Sequence, residues 1–570
     1  MLKLTILGIL ICASILAGML PSPKSIYFIL EYSGYYFILF SFFLWLAHLI
    51  KLNFAQLKLI LLKHYDGLLL SSILMLLIFC IAPPKFKILN DETNLVGVSM
   101  SMYQSKKASL PIQGVNLDYR QPEYKTTIGK RPLLYPLLVS FIHSLRGYSA
   151  YNGFVANFIL GILALFVIYL FICDYFPRIY ALLSILILAS LPNFVLWVTS
   201  SGFETLNLFF IVFTIFLFKK VLTSRSIQQA ELFFLTLVLL SQCRYESIIF
   251  TIAILFLLPM LLDKKSISEF SFLTFITPVL FIPIIWQPRL YAGQPVVNKV
   301  GSAVVQTPNL LQSFSFSNIF SNSASNLTVF LGLDPHLGFS WLVSAISIAG
   351  FYQMTKRLIV DYRSKSSQFR TMWYFTAATF CLLYLVQVSF YLGNMTIYTQ
   401  NRFAMAYLPC MVVPAVFFIH EILNKAHISK KILVVIFFVF HLLYFWPYGS
   451  QQLLVNTGSI PYEYNKTLRY LKDTFKRNTN ILIISERPNL YIVHYKGAVD
   501  FAYANKNGDK IRDHYGKEFD HILVLQKFLY KTRAPLKNQH LNHSYRLAEL
   551  KNLNLTQTEY LKISKLIDPP

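Results

Sequence analysis

Two segments of this sequence combine residue types that can handle a proton and a phosphate. The first reads Lys85-Phe-Lys-Ile-Leu-Asn-Asp91-Glu92, a pair of acids a few residues beyond an apolar run. A carboxylate there could act as a general base, taking a proton from an incoming hydroxyl. It could equally hold a metal ion that bridges a phosphate. A structural reading stands beside these: Asn90 or Asp91 caps a helix, and acids are favoured in its first turn. Capping and catalysis are compatible, because a cap also fixes the direction of a carboxylate. The second segment reads Gly129-Lys130-Arg131-Pro132-Leu-Leu-Tyr135-Pro136 and continues to Gly147. Its two prolines open an apolar helix of about four turns, with cations at both ends. That is too short to cross a membrane, so the helix is expected to lie in the interface. Lys130 and Arg131 could meet a lipid phosphate there, or serve as ordinary interfacial anchors.

Composition sets the elements that must position these groups. Of 570 residues, 55% are hydrophobic and 14% charged, and the mean hydropathy is +0.52. Those values exclude a disordered chain and an ordinary soluble enzyme, and they point to a membrane protein. Apolar runs suited to spans occur thirteen times: 4–20, 26–50, 67–82, 151–173, 179–198, 205–218, 230–243, 247–262, 270–286, 338–352, 371–392, 403–423 and 432–448. The first also reads as a cleavable signal, with Lys3 before it and Ala17-Gly18 at its end, which leaves the later loops on the same sides. With the N-terminus inside, the short loops rich in Lys and Arg all fall on the cytoplasmic side. Three larger pieces then fall outside: 83–150, 287–337 and 449–570. The tail holds a helical stretch at 462–475 and strand-like runs at 480–485, 491–494 and 521–525. The expected fold is mainly α: a bundle of about thirteen transmembrane helices over 1–448, whose outer loop 83–150 carries the acidic motif, and a small outer-face α/β domain over 449–570. Lys and Arg number 51 against 26 Asp and Glu. That excess reads as topology charge and attraction to anionic membrane lipids, and nucleic acid is not an expected partner. The six cysteines lie in or beside apolar runs without CxxC spacing, so neither a disulfide framework nor a cysteine metal site is indicated.

Taken in order, these motifs resemble those of the GT-C glycosyltransferases. The pattern is Asp91-Glu92 after an early span, the Lys130-Arg131-Pro132-Leu-Leu-Tyr135-Pro136 segment, the helix end at Gly147, and Asn152 and Asn157 in the next span. It is most similar to the branch of bacterial aminoarabinose transferases and protein O-mannosyltransferases. Ser200-Ser-Gly-Phe-Glu204, Arg244-Tyr-Glu246 and Asn401-Arg402-Phe403 with Pro409 fit the same pattern over roughly residues 91–409. One departure is Gly129, where related sequences commonly carry an acid; Asp118 or Glu123 would have to replace it.

The resemblance implies an enzyme that moves a sugar from a polyprenyl-phosphate carrier to a hydroxyl acceptor at the outer face of the membrane. The acceptor would be an envelope glycolipid, a polymer or a protein, and the membrane a bacterial inner (plasma) membrane. It implies Asp91 as base, supported by Glu92. Lys130, Arg131, Arg244 and Arg402 would bind the donor phosphate, a task suited to the bidentate guanidinium. Glu204 and Tyr135 would contact sugar or acceptor. Displacement by an activated hydroxyl would invert the anomeric centre. Whether a divalent metal ion takes part stays open. The competing reading is a secondary transporter or lipid flippase, but transporters place ionisable groups mid-membrane and often repeat in halves. No such halves are visible, and no P-loop, nucleophile elbow or dinucleotide fingerprint occurs.

Overall fold

The computed structural model describes residues 2–117, 122–129, 131–224, 226–252, 269–291, 295–297, 304–306, 314–334, 338–364, 368–390, 392–425, 435–436, 439–440, 443, 459–476, 479–542 and 545–567. Lys130, Asp118 and most of the expected spans 247–262 and 432–448 lie outside these residues. Among the described residues, four helices are long and apolar enough to cross a membrane: Pro23–Lys51, Asn152–Cys173, Glu204–Ser224 and Tyr398–Asn424. A fifth span is possible if the bent pair Arg178–Ser190 and Pro192–Val198, which meet at 70°, counts as one. Shorter apolar helices occur at Thr5–Met19, Tyr65–Ile81, Ile227–Ser241 and Thr376–Ser389. Helix Tyr65–Ile81 buries Leu74, Met75 and Ile78 while Leu69, Leu76 and Leu77 stay exposed. An apolar surface on all sides is what a helix facing lipid requires. These helices make the chain an integral membrane protein.

The break in the bent pair has a local cause. Leu191 precedes Pro192 and adopts an extended conformation, φ −72° and ψ 125°. A residue before proline is disfavoured in the helical region, so the helix stops and restarts in a new direction.

The chain forms two compact units. One comprises Met1–Pro84, Lys130–Tyr135 and Phe154–Ser450; the other comprises Lys85–Gly129, Pro136–Gly153 and Gln451–Pro570. The first unit is helical, with one small hairpin, β3 (Pro295–Val297) against β4 (Val304–Gln306). The second is built on a seven-stranded sheet. Its strands are β1 (Ser109–Val115), β2 (Glu123–Ile128), β5 (Ile481–Ser485), β6 (Gly497–Val499), β7 (His521–Leu529), β8 (Leu547–Asn554) and β9 (Glu559–Leu566), in the order β2-β1-β6-β5-β7-β9-β8. β5 runs parallel to β6 and β7, and all other pairs are antiparallel. β5 reads Ile-Leu-Ile-Ile-Ser and is buried throughout, as a strand covered on both faces must be. The edge strand β8 exposes Glu549 and Lys551, charges that blunt pairing with other chains.

The tail helix runs Ile460–Thr474, and the strands expected at 480–485 and 521–525 are β5 and the start of β7. The expected strand at 491–494 is not one. Pro488 starts a short helix, Pro488–Tyr491, and Ile492 continues its helical conformation. The helix expected at the membrane interface is Leu134–Arg146. It is buried along most of its length, and only Ser144, Leu145 and Arg146 are exposed. It is therefore a packed element, whose buried polar residues Ser140 and His143 have partners inside the protein.

Candidate functional site

In the helical unit, Glu204, Arg244 and Arg402 converge. Glu204 is the first residue of helix Glu204–Ser224 and follows the tight turn Thr199–Phe203. The turn is held by Asn157, whose Nδ2 donates to the carbonyls of Ser200 (2.7 Å) and Gly202 (2.9 Å). Gly202 is required by close approach, because a Cβ there would lie 2.1 Å from Glu204 Oε2. Arg244 follows helix Ile227–Ser241 and precedes the short turn Tyr245–Ser247. Arg402 begins the 3-10 turn that leads into helix Leu408–Lys425. The adjacent Asn401 is fixed by Asn193, whose Nδ2 donates to its Oδ1 at 2.8 Å.

One carboxylate oxygen serves both cations. Glu204 Oε1 lies 3.3 Å from Arg244 Nη1 and 3.4 Å from Arg402 Nη1. The three side chains are only 3%, 6% and 9% exposed. Arg244 also forks onto Glu246, with Nε 3.3 Å from one oxygen and Nη2 3.4 Å from the other. The rings of Phe203 and Phe403 lie 4.9 and 4.4 Å from the Arg244 guanidinium carbon. Aromatic faces attract a guanidinium and keep water from it. Burial alone would raise the Glu246 carboxyl, but the charge and hydrogen bonds of Arg244, with the charge of Arg131, hold it below its ordinary value. Arg131 therefore acts on the same cluster. Its carbonyl accepts from Gln287 Nε2 at 3.0 Å. A cavity of about 410 Å³ opens on the cluster, bounded also by Asn207, Gln387 and Tyr407. Three guanidiniums against two carboxylates leave an excess positive charge in a poorly hydrated place, a setting that favours an anion with several acceptor oxygens. Tyr135 is buried in the same unit, 1% exposed.

Asp91 and Glu92 belong to the sheet-bearing unit and divide in role. Helix Leu89–Ser105 has Ile88 at its N-cap, which has no side chain to cap with. Glu92 reaches back instead, and its Oε2 accepts the backbone N–H groups of Lys87 (2.5 Å) and Ile88 (2.8 Å). It is 2% exposed. Capping thus falls to Glu92, not to Asn90 or Asp91, because the carboxylate satisfies donors the helix leaves over. Beside it, burial pushes the Lys87 ammonium down to about 7, against the upward pull of Glu92. Asp91 is half-buried in the first turn. Glu123, one of the two acids considered in place of Gly129, opens β2 and pairs with Lys510 at 3.2 Å on the surface. His143 forms a buried polar link in this unit: Asn152 Nδ2 donates to its Nδ1 at 2.8 Å, and Nε2 meets Ser99 Oγ at 3.0 Å. Among the described residues no three His, Cys, Asp or Glu side chains converge. The Glu204 carboxylate already faces two arginines, so the described residues of this cluster do not build a metal site.

Phe203, Glu246 and Phe403 stand within the sequence motifs without a role of their own, and the Asn193–Asn401 link stands outside them. Glu246 was visible two residues after Arg244; the aromatic flanks and the asparagine link have no local signal in so aromatic and apolar a sequence.

Residues 130–286, which include Arg131, Glu204 and Arg244, match the family model described as dolichyl-phosphate-mannose-protein mannosyltransferase. No curated protein matches the chain in sequence. Among solved structures, ArnT from Cupriavidus metallidurans bound to undecaprenyl phosphate is similar in fold, with TM-score 0.50 and 10% identity over 89% of this chain and 99% of that one. The Archaeoglobus fulgidus oligosaccharyltransferase tethered to an acceptor peptide gives 0.45 and 12% over 82% and 70%. The mycobacterial arabinofuranosyltransferase AftD gives 0.43 and 12% over 89% of this chain and 40% of its own length. The resemblance to the GT-C glycosyltransferases that the motifs carry is thus met by a family model over residues 130–286 and, across most of the chain, by the fold of an ArnT.

Proposed function

We propose that this chain is a membrane glycosyltransferase that takes a sugar from a polyprenyl-phosphate carrier and places it on a hydroxyl acceptor at the outer face of the membrane. The observation that carries the reading is the buried Glu204 carboxylate shared by Arg244 and Arg402 beside a cavity of about 410 Å³. In this reading Glu204, which the motifs would set against sugar or acceptor, is instead the counter-ion that holds two guanidiniums in place before a phosphate arrives. The fold likeness to an ArnT solved with undecaprenyl phosphate supports the donor class. Arg131 and Lys130 add positive charge for the phosphate, and Tyr135 contacts the sugar or acceptor.

An acceptor hydroxyl oxygen attacks the anomeric carbon and gives its proton to the Asp91 carboxylate. The bond between that carbon and the carrier's phosphate oxygen breaks, and its electron pair leaves with the phosphate. Arg244 and Arg402 stabilise the charge that develops there, in a site where electrostatic interactions are strong because water is scarce. A single displacement of this kind inverts the anomeric centre. The thirteen-span topology, with the N-terminus cytoplasmic and the tail outside, completes the proposal and agrees with the distribution of Lys and Arg among the loops.

Mass spectrometry of the carrier-lipid pool and envelope glycans tests it. Cells carrying Asp91→Asn should accumulate unconsumed polyprenyl-phosphate sugar and lose one glycan modification. An unchanged pool would contradict transfer chemistry, and continued movement of a substrate across the membrane would favour a transporter.

A further inference from the structure

The sequence between Lys299 and Asp334 contains no charged residue. Soluble segments carry charge at roughly one residue in four, so this stretch is polar without being ionic. Its last part forms helix Phe316–Phe330, in the helical unit. The polarity of this helix is the reverse of that of a helix on a water-facing surface. Asn318, Asn322 and Asn326, spaced four apart, turn toward the protein. Asn318 Nδ2 donates to the Ser389 carbonyl at 3.2 Å, and Asn322 Nδ2 donates to those of Val388 and Phe390, each at 2.9 Å. Asn326 Nδ2 donates to the Gly393 carbonyl at 3.0 Å, and its Oδ1 accepts from the Met395 N–H at 2.7 Å.

The opposite face is apolar and bare. Phe316 is 88% exposed and Phe320 84%, and Ala324 and Leu327 continue the stripe at helical spacing. The hydroxyls beside it bond to the helix itself. Ser321 Oγ donates to the Asn318 carbonyl (3.2 Å), Ser325 Oγ to that of Ser321 (3.1 Å) and Thr328 Oγ1 to that of Ser325 (2.7 Å). Each proton is used inside the helix, as hydrocarbon surroundings require.

Both ends of the helix are fastened to one end of a helix pair. In that pair Trp373 Nε1 donates to Thr355 Oγ1 at 2.9 Å, so helices Trp341–Ser364 and Gln368–Ser389 run antiparallel, and Trp341 and Ser389 share an end. Before the helix, the Ser315 N–H donates to the Ser389 carbonyl at 2.9 Å. After it, Ser344 Oγ donates to the Phe330 carbonyl at 2.6 Å, and Gly332 approaches so closely that a Cβ there would lie 2.4 Å from the Trp341 nitrogen. The bare stripe thus adjoins the exposed apolar residues Trp341 and Leu385 of the pair. Tryptophan at the end of a membrane helix marks the headgroup level.

We infer that Phe316, Phe320 and Leu327 are a lipid seat: helix Phe316–Phe330 rests on the bilayer at the headgroup boundary, with its apolar stripe among acyl chains. Helices that lie in this interface usually turn Lys and Arg outward to water. Here the polar face is taken up by the protein backbone, which accounts for the missing charge. A protein partner would need a polar rim to pair with, and the hydroxyls that flank the stripe are already bonded. The seat also reaches the arginine cluster. The Met395 carbonyl accepts from Asn401 Nδ2 at 3.4 Å, and Arg402 is the next residue. That the seat steadies a phosphate-binding arginine rests on the glycosyltransferase reading; that the stripe meets lipid does not.

The test is photo-crosslinking of the full chain with p-benzoylphenylalanine in place of Phe320, which keeps the aromatic ring and so the fold. The protein is placed in nanodiscs of phosphatidylethanolamine and phosphatidylglycerol, illuminated, and weighed intact. A shift by the mass of one phospholipid is expected, as readily as from the same probe in place of Leu385. Absence of a lipid adduct, a doubled mass from a second copy, or an adduct formed only with added undecaprenyl phosphate would overturn the inference. A phospholipid adduct together with equal carrier affinity of wild type and Arg402→Ala would leave the seat standing and sink the transferase reading. No adduct, with carrier binding lost in Arg402→Ala, would do the reverse.

Discussion

Replacing Glu204 by Gln removes the one charge that two buried guanidiniums share. Glu204 and Glu246 neutralise Arg244 and Arg402, and Arg131 is the excess charge on the cluster. The Gln variant leaves one positive charge uncompensated among side chains that are 6% and 9% exposed. At 3.3–3.4 Å each attraction is about 5 kcal/mol with an effective dielectric near 20, and desolvation offsets much of it. Breaking a buried pair by removing one partner typically costs about 3–5 kcal/mol, and that is the expected loss here. Adding Arg402→Gln relieves the stranded charge, so the double variant should be less destabilised than the sum of the singles. The coupling should fall in the range of about 0.5–3 kcal/mol. Reversible unfolding in mixed micelles, on wild type, both single variants and the double variant, measures it. A loss below about 1 kcal/mol for Glu204→Gln, or strict additivity, would refute the idea that Glu204 is the shared counter-ion.

Other substitutions separate chemistry from structure. Asp91→Asn should lower turnover by about 10²–10⁴ while binding of the carrier lipid stays the same, as read by single-turnover kinetics beside binding. Glu92→Ala should instead destabilise the sheet-bearing unit, because the buried Lys87 N–H and the part-buried Ile88 N–H lose their acceptor, at about 1–3 kcal/mol for the buried one; proteolysis of that unit reports it. Gly202→Ala should displace the Glu204 carboxylate, since its Cβ would fall 2.1 Å from Oε2, and so lower stability in the same unfolding experiment as Glu204→Gln does. His143 gives a pH signature. Burial holds its imidazole down to about 4 in the folded protein, against 6.5 ordinarily. Its contribution is therefore complete above pH 6.5 and is lost as pH falls toward 4, because the unfolded chain takes up the proton first. Thermal unfolding between pH 7 and 4 should show this loss, and His143→Gln should flatten it.

The sequence makes the charged corners of the site legible for a physical reason. Glu204, Arg244 and Arg402 stand at the ends of apolar runs, where an ionisable residue is costly and needs a partner. Their convergence does not follow from spacing, since they lie 40 and 158 residues apart. It depends on how the helices pack. The parallel core was legible where Ile481–Ile484 forms an uninterrupted apolar run bounded by turn residues. The pairing of β1 with β6 was not, because Gly114 and Ala498 are 384 residues apart and neither strand signals its partner. At Glu92 the residue type was noticed but not its task. A helix whose N-cap is Ile88 must recruit its cap from elsewhere, and the next turn supplies it.

The most direct measurement is binding of undecaprenyl phosphate to the purified chain in nanodiscs, followed by native mass spectrometry, for wild type, Arg244→Ala and Arg402→Ala. A hydrogen bond to a charged group is worth about 1.5–3 kcal/mol, so each substitution should weaken binding roughly 10- to 150-fold. Equal affinity in all three proteins would contradict the assignment of this cluster as the seat of the donor phosphate.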